Sequence, residues 1–186
     1  MSFIDLITQR QSVRKYASAK VEQEKIDIIL HAARLAPSAS NSQPWHFIVV
    51  SDPILKDKVA KATFSKLIPF NKFAVQAPLL MVIVKTKSKI ITQIGGRIKS
   101  REFPLYDIGI VAEHICLQAA ELGLGSCMLG WFNEKKIRKT LRVPVNFDIA
   151  LVITLGYAAE GYKLRDKRRK TIKEMTSYNV FNHKSI

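Results

Sequence analysis

Pro37-Ser38-Ala39-Ser40-Asn41-Ser42-Gln43-Pro44-Trp45-His46-Phe47-Ile48-Val49-Val50 runs together a helix stop, a polar loop and a strand. Pro37 cannot continue a helix, because its ring removes a backbone donor and clashes with the preceding turn. Upstream, Ile26, Ile29, Leu30 and Ala33 recur at helical spacing, so residues 22–35 read as an amphipathic helix that ends there. Downstream, the apolar run Phe47–Val50 reads as a strand. The two prolines bracket small polar residues, which makes a compact, rigid loop whose backbone can approach a flat ligand closely. Helix-to-strand connections are usually about 2–6 residues long, so the length of this one favours a function over a simple connection.

The rest of the chain continues the alternation. Ser2 caps a first helix that carries Phe3, Leu6 and Ile7 on one face, and an extended piece follows at residues 12–16. Asp52-Pro53 is a cap followed by a first-turn proline, opening a helix to about Phe64. Leu79–Val84 is a continuous apolar run, the pattern of a central strand buried on both faces. Residues 85–104 show no clear period and read as a surface insertion. Asp107 opens the longest helix, which buries Val111, Ile115 and Ala119 and closes at Gly123 or Gly125. A short strand over 126–132, a helix capped by Asn133 and running to about Leu141, and a strand Ile149–Leu155 complete the series. Residues 157–186 are polar, basic and without a core pattern. Strands alternating with helices indicate a mixed α/β architecture with central strands covered on both faces. The helices carry more apolar surface than one chain covers, which points to a dimer.

The composition bounds the function. The chain has 186 residues, 47% of them apolar and 24% charged, which suits one globular domain and excludes a disordered chain. No apolar run approaches membrane-spanning length, and the start lacks a basic region followed by an apolar core, so a soluble protein without a secretory signal is expected. Two cysteines, Cys116 and Cys127, make neither a disulfide scaffold nor a zinc site, and a reducing cytoplasm is the expected compartment. The charge is unusual: 30 Lys and Arg against 15 Asp and Glu give +15. Residues 85–101, 134–142 and 161–173 hold 18 of those 30 cations. Such a surplus asks for an anion, whether nucleic acid, a membrane surface or a phosphorylated cofactor. The basic stretches match no helix-turn-helix, zinc-finger or RNP pattern and have no aromatics at stacking spacing, which argues against nucleic acid.

Three constellations carry chemistry. Arg10-Gln11-Ser12-Val13-Arg14 places two guanidinium forks around a hydroxyl, a donor set that matches phosphate oxygens, although a basic helix end has the same look. The 37–45 loop is the second. Gly123-Leu124-Gly125-Ser126-Cys127-Met128-Leu129-Gly130 is the third; it follows a helix and precedes a strand, the wrong order for a dinucleotide fingerprint, but its glycines allow close backbone contact with a ring. No nucleophile with its base, paired carboxylates or metal spacing stands out among the four histidines and the acids. Anion grips without catalytic side chains suit a protein whose chemistry is lent by a bound cofactor.

Taken in order, Arg10-x-Ser12-x-Arg14, PSASNSQPWHFIVV at 37–50, GLGSC at 123–127, Arg169-Lys170 and Tyr178-Asn179 resemble the nitroreductase family of flavoproteins. The resemblance implies an α+β fold: an α-β-α sandwich with a central, mostly antiparallel sheet, formed as an intertwined homodimer from a single domain over 1–186. Its extension from about 157 to 186 would embrace the partner subunit. It also implies FMN as cofactor, NADPH or NADH as electron donor, and a nitroaromatic, quinone or similar small-molecule acceptor in ping-pong order. By position, Arg10, Gln11, Ser12 and Arg14 match the segment that grips the FMN phosphate and ribityl chain, joined by Lys167 and Arg169. Pro37, Ser38 and Ala39 match the loop packed on the isoalloxazine from the second subunit, with Asn41 and Gln43 in the same loop. Asn71 resembles the residue that reads the ring's pyrimidine edge, and Leu129 and Gly130 match the positions whose backbone faces the flavin N5 and dimethylbenzene side. Position 129 is Leu where some relatives carry Glu, and the long helical insertion of larger members has little room here. Phe70, Phe73, Phe103 and Trp131 are apolar candidates for the acceptor pocket. The same fold with dehalogenation or flavin fragmentation is the alternative; a basic nucleic-acid-associated protein is the remote one.

Overall fold

A computed structural model describes residues 1–87 and 102–181. The element order is α1 (Phe3–Gln9), α2 (Gln23–Arg34), β1 (Trp45–Val50), α3 (Pro53–Lys61), β2 (Leu79–Lys85), α4 (Phe103–Glu121), β3 (Gly125–Leu129), α5 (Glu134–Leu141), β4 (Asp148–Gly156) and α6 (Ile172–Met175). Single turns of 3-10 helix lie at Ala39–Asn41 and Lys72–Gln76.

The strands form one sheet in the order β1-β2-β4-β3, every pair antiparallel. Central β2 is buried along nearly its whole length, as its unbroken apolar run requires. Its residues divide by the strand period of two: Leu80, Val82 and Val84 join the core under α3 and α5, whereas Leu79, Met81 and Ile83 join the core under α2 and α4. The expected sandwich is therefore present, with the sheet as its middle layer.

Local signals set the ends of the elements. Ser2 and Asp5 form a reciprocal capping box on α1, and Thr171 and Glu174 form another on α6. Asp52 Oδ1 accepts the Leu55 N–H at 2.8 Å, capping α3. That helix stops at Lys61, short of the expected Phe64, because the N–H groups of Ala62 and Thr63 turn to carbonyls three residues back. The longest helix begins at Phe103 with Pro104 in its first turn, so Asp107 lies inside α4 and not at its start. Gly123, at φ +75°, closes it: Leu124 N–H reaches Ala119 O and Gly123 N–H reaches Ala120 O, a Schellman end. Strand β3 ends at Leu129, three residues before the expected limit. The basic stretch 85–101 falls mostly outside the described residues.

Residues 157–181 run as a tail that doubles back on the N-terminal segment. Tyr16 bridges Ala158 in antiparallel fashion, and Ala159 N–H donates to Lys15 O at 3.0 Å. This pairing brings 163–169 beside 10–14.

Candidate cofactor-binding site

The N-terminal grip is docked on the edge of the sheet. Val13 N–H donates to Ser126 O at 2.9 Å, and Ser12 bridges Ser126 in parallel with β3. Gly125 makes this approach possible, because a Cβ there would sit 2.6 Å from a Val13 methyl. Buried Tyr16 fixes the segment from the other end. Its hydroxyl lies 2.6 Å from Thr154 Oγ1 and donates to Val13 O at 2.9 Å, and burial pushes its pKa well above the usual phenol range.

The tail then fastens to the grip through Gln11. Its amide donates to Lys163 O at 3.2 Å and accepts from the Arg165 backbone N–H at 3.2 Å, while the Arg165 guanidinium donates to Ser12 O. Arg14 N–H donates to Tyr162 Oη at 3.1 Å. The result is a cavity of about 370 Å³ lined by Arg10, Gln11, Ser12, Arg14 and residues 165–169. Six of its nine lining side chains are cationic, and Asp166 is the one acid among them.

The cations are held in different ways. Lys167 Nζ donates to Ile7 O at 2.6 Å and to Thr8 O, closing the C-terminal end of α1; burial, then Arg10 and Arg169, push its pKa below the usual ammonium range. Arg10 Nε lies 3.6 Å from Glu113 Oε1, is buried, and has no hydrogen-bond acceptor among the described residues. Arg169 donates to Arg168 O at 2.9 Å. Cys127 is buried on β3 beside the grip: burial raises its thiol pKa, while Arg14, a Ser12 hydrogen bond and Arg165 pull it back. Crowding six cations around one acid is unfavourable until an anion joins them.

The sequence singled out Arg10, Gln11, Ser12, Arg14, Lys167 and Arg169, and the structure brings all six to one cavity. Gln11 is there as the fastener between two segments, its amide engaged within the chain. Arg165 was missed. The signal that could have found it is the alternation Lys163-x-Arg165-x-Lys167-x-Arg169, the period of an extended segment offering cations on one side.

The 37–43 loop does not line this cavity. Ser40, Asn41 and Gln43 all have φ near +50°, a left-handed conformation rare for residues with a Cβ. Ser38 Oγ accepts the Gln43 N–H at 2.9 Å, Gln43 Nε2 donates to Asn41 Oδ1 at 2.8 Å, and the Ala39 N–H donates to Asp107 Oδ1 at 3.0 Å. Asn71 is also apart from the cavity: its amide donates to Thr63 O at 3.2 Å and Trp131 O at 3.1 Å. Leu129 is buried at the end of β3, whereas a Cβ on Gly130 would meet nothing within 4 Å among the described residues, which leave open space there. Of the aromatic candidates, Phe70 and Trp131 pair with ring centroids 6.3 Å apart, Phe103 pairs with Tyr106 at 6.3 Å, and Phe73 packs on the core.

Residues 7–157 match the nitroreductase family. The chain belongs to that family. This nitroreductase-family chain is 32% identical over 161 residues to an Archaeoglobus fulgidus protein provisionally named NADH dehydrogenase/NAD(P)H nitroreductase, covering 83% of this chain and 84% of that protein. A solved FMN-dependent nitroreductase of Clostridium difficile superposes with a TM-score of 0.77 at 31% identity, over 96% of this chain and 100% of that one. An iodotyrosine deiodinase of Haliscomenobacter hydrossis is 25% identical over 189 residues, covering 90% of this chain and 84% of that protein. Family membership makes an oxidoreductase the class of this protein.

Proposed function

We propose that the chain binds FMN and passes electrons from NADPH or NADH to nitroaromatic, quinone or similar acceptors in a ping-pong sequence. The observation that carries this reading is the basic cavity where the Arg10–Arg14 segment meets the tail. A phosphate monoester carries about two negative charges and offers several acceptor oxygens, and the donor set of Arg10, Ser12, Arg14, Arg165 and Arg169 suits it. Lys167, tied to the end of α1, contributes charge from the cavity wall. Bound FMN supplies the ring that takes up and releases electrons, so the chain needs to position reactants and not to provide a base or nucleophile. The open space at Gly130 fits a planar ring against the end of β3. Leu129 and Gly130 would face that ring through their backbone, Asn71 would read its polar edge, and Pro37, Ser38, Ala39, Asn41 and Gln43 would pack on it from a second subunit.

The second subunit is part of the same proposal. Ile172, Met175, Tyr178, Val180 and Phe181 in the tail, and Phe3, Ile4, Leu105 and Tyr106 on α1 and α4, are exposed apolar side chains. Their number on one chain supports a homodimer in which each tail lies across its partner. Among the described residues no helix is long and apolar enough to cross a membrane, and the two free, buried cysteines suit a reducing cytoplasm.

Anaerobic mixing of the flavin-loaded protein with NADPH or NADH tests the reading. The flavin absorbance should bleach, a nitroaromatic or quinone should restore it, and steady-state double-reciprocal plots should be parallel. A bound flavin that neither nicotinamide reduces would sink the proposal. The deiodinase likeness favours reductive dehalogenation as the second reading. Release of iodide from iodotyrosine, with no turnover of nitroaromatics, would select it.

A further inference from the structure

We infer that Asp107 is a positioning residue for the 37–43 loop, holding that loop in the shape in which it meets the flavin; this rests on the FMN reading above. Asp107 is a carboxylate on α4 that is only 3% exposed. Its Oδ1 accepts the Ala39 N–H at 3.0 Å, and its Oδ2 is buried without a hydrogen-bond partner among the described residues. A buried carboxylate with half its acceptor capacity unused is a poor contributor to stability. The residue therefore needs another reason to be there, and the loop supplies one.

Three residues of that loop, Ser40, Asn41 and Gln43, sit in left-handed conformations without being glycine. Each is individually disfavoured, and such backbone persists only where its surroundings over-determine it. The hydrogen bonds from Gln43 N–H to Ser38 Oγ and from Gln43 Nε2 to Asn41 Oδ1 shape the loop from within. Asp107 attaches it, through a charge-assisted hydrogen bond to backbone, from a nineteen-residue helix packed on the sheet. Farther along the same helix, Glu113 lies beside Arg10 of the basic cavity. Helix α4 thus holds both proposed cofactor grips, each with one carboxylate.

The test compares Asp107→Asn, which keeps an oxygen for Ala39, with Asp107→Ala, which does not. Flavin-stripped protein is titrated with FMN by fluorescence quenching, hydrogen exchange is followed at the Ala39 amide with and without FMN, and melting of the stripped protein is recorded. Asp107→Ala should weaken FMN binding about ten- to a hundredfold, the loss of one charge-assisted hydrogen bond. The Ala39 amide should then exchange faster while the melting temperature moves little. Asp107→Asn should stay within about threefold of the parent, as one retained acceptor predicts. Unchanged FMN affinity and unchanged Ala39 protection in Asp107→Ala would overturn the inference. So would an equal loss in both variants that follows a collapse in melting temperature, since that marks a merely structural role. If the parent protein takes up no FMN, the FMN reading fails by itself, and the exchange rate at Ala39 alone decides whether Asp107 holds the loop.

Discussion

One absent methyl group sets where the Arg10–Arg14 segment lies. A Cβ on Gly125 would fall 2.6–2.9 Å from three carbon atoms of Val13, so β3 and the grip can run side by side only with glycine there. Gly125→Ala should destabilise the protein by about 1–3 kcal/mol, as overpacking does. It should also weaken FMN binding, because the grip must move off the strand; melting and FMN titration of the variant check both effects. The two cysteines make a second residue-scale prediction. Burial pushes the Cys116 thiol from its ordinary 9.0 up to about 12. The folded state therefore keeps its proton where the unfolded chain loses it. The associated stability is fully present below pH 9, falls as pH rises, and is gone above about 12. Cys116→Ala should flatten that alkaline loss in a melting series, and iodoacetamide at pH 8 should leave Cys116 unmodified until denaturant is added. Single residues were legible in the sequence where chemistry is local, as with the caps at Ser2, Asp52 and Asn133. Arg165 was not, because its role depends on Gln11 and Ser12, more than 150 residues away along the chain.

Elements were legible when burial imposed a pattern. The runs in β2 and β4 have almost no polar interruption because helices cover both faces, and both strands stand where the sequence places them. Their direction is another matter: a strand buried on both sides has the same composition in a parallel and an antiparallel sheet, so the antiparallel pairing came from the family resemblance and not from the runs themselves. The start of α4 was hidden for a similar reason. Asp107 after a proline looks like a cap, but it is a buried carboxylate facing the Ala39 N–H. Helix α5 offers a clean element-scale test. Asn133 Oδ1 accepts the Lys136 N–H at 2.9 Å, and the residue does not line the basic cavity. Asn133→Ala should cost about 1 kcal/mol of stability, as lost caps do, and leave FMN affinity unchanged in the same titration.

At the scale of the whole molecule, six of the 30 cations meet at one cavity where distant segments converge. The Tyr16–Ala158 bridge is the hinge of that convergence, since it turns the tail back along the N-terminal segment. The tail continues outward with Tyr178 and Phe181 82% and 72% exposed, side chains that a partner subunit would cover. Light scattering should report a dimer, and Tyr178→Ala with Phe181→Ala should shift it toward monomer; a monomeric parent protein would contradict the dimer. The most direct measurement of the central claim compares two ligands on the flavin-stripped protein: FMN and riboflavin, which lacks the phosphate. Two or three charge-assisted hydrogen bonds in the basic cavity should make FMN bind about a hundred- to ten-thousandfold more tightly, and added salt should narrow the gap. Equal affinity for FMN and riboflavin, or no uptake of either, would contradict it.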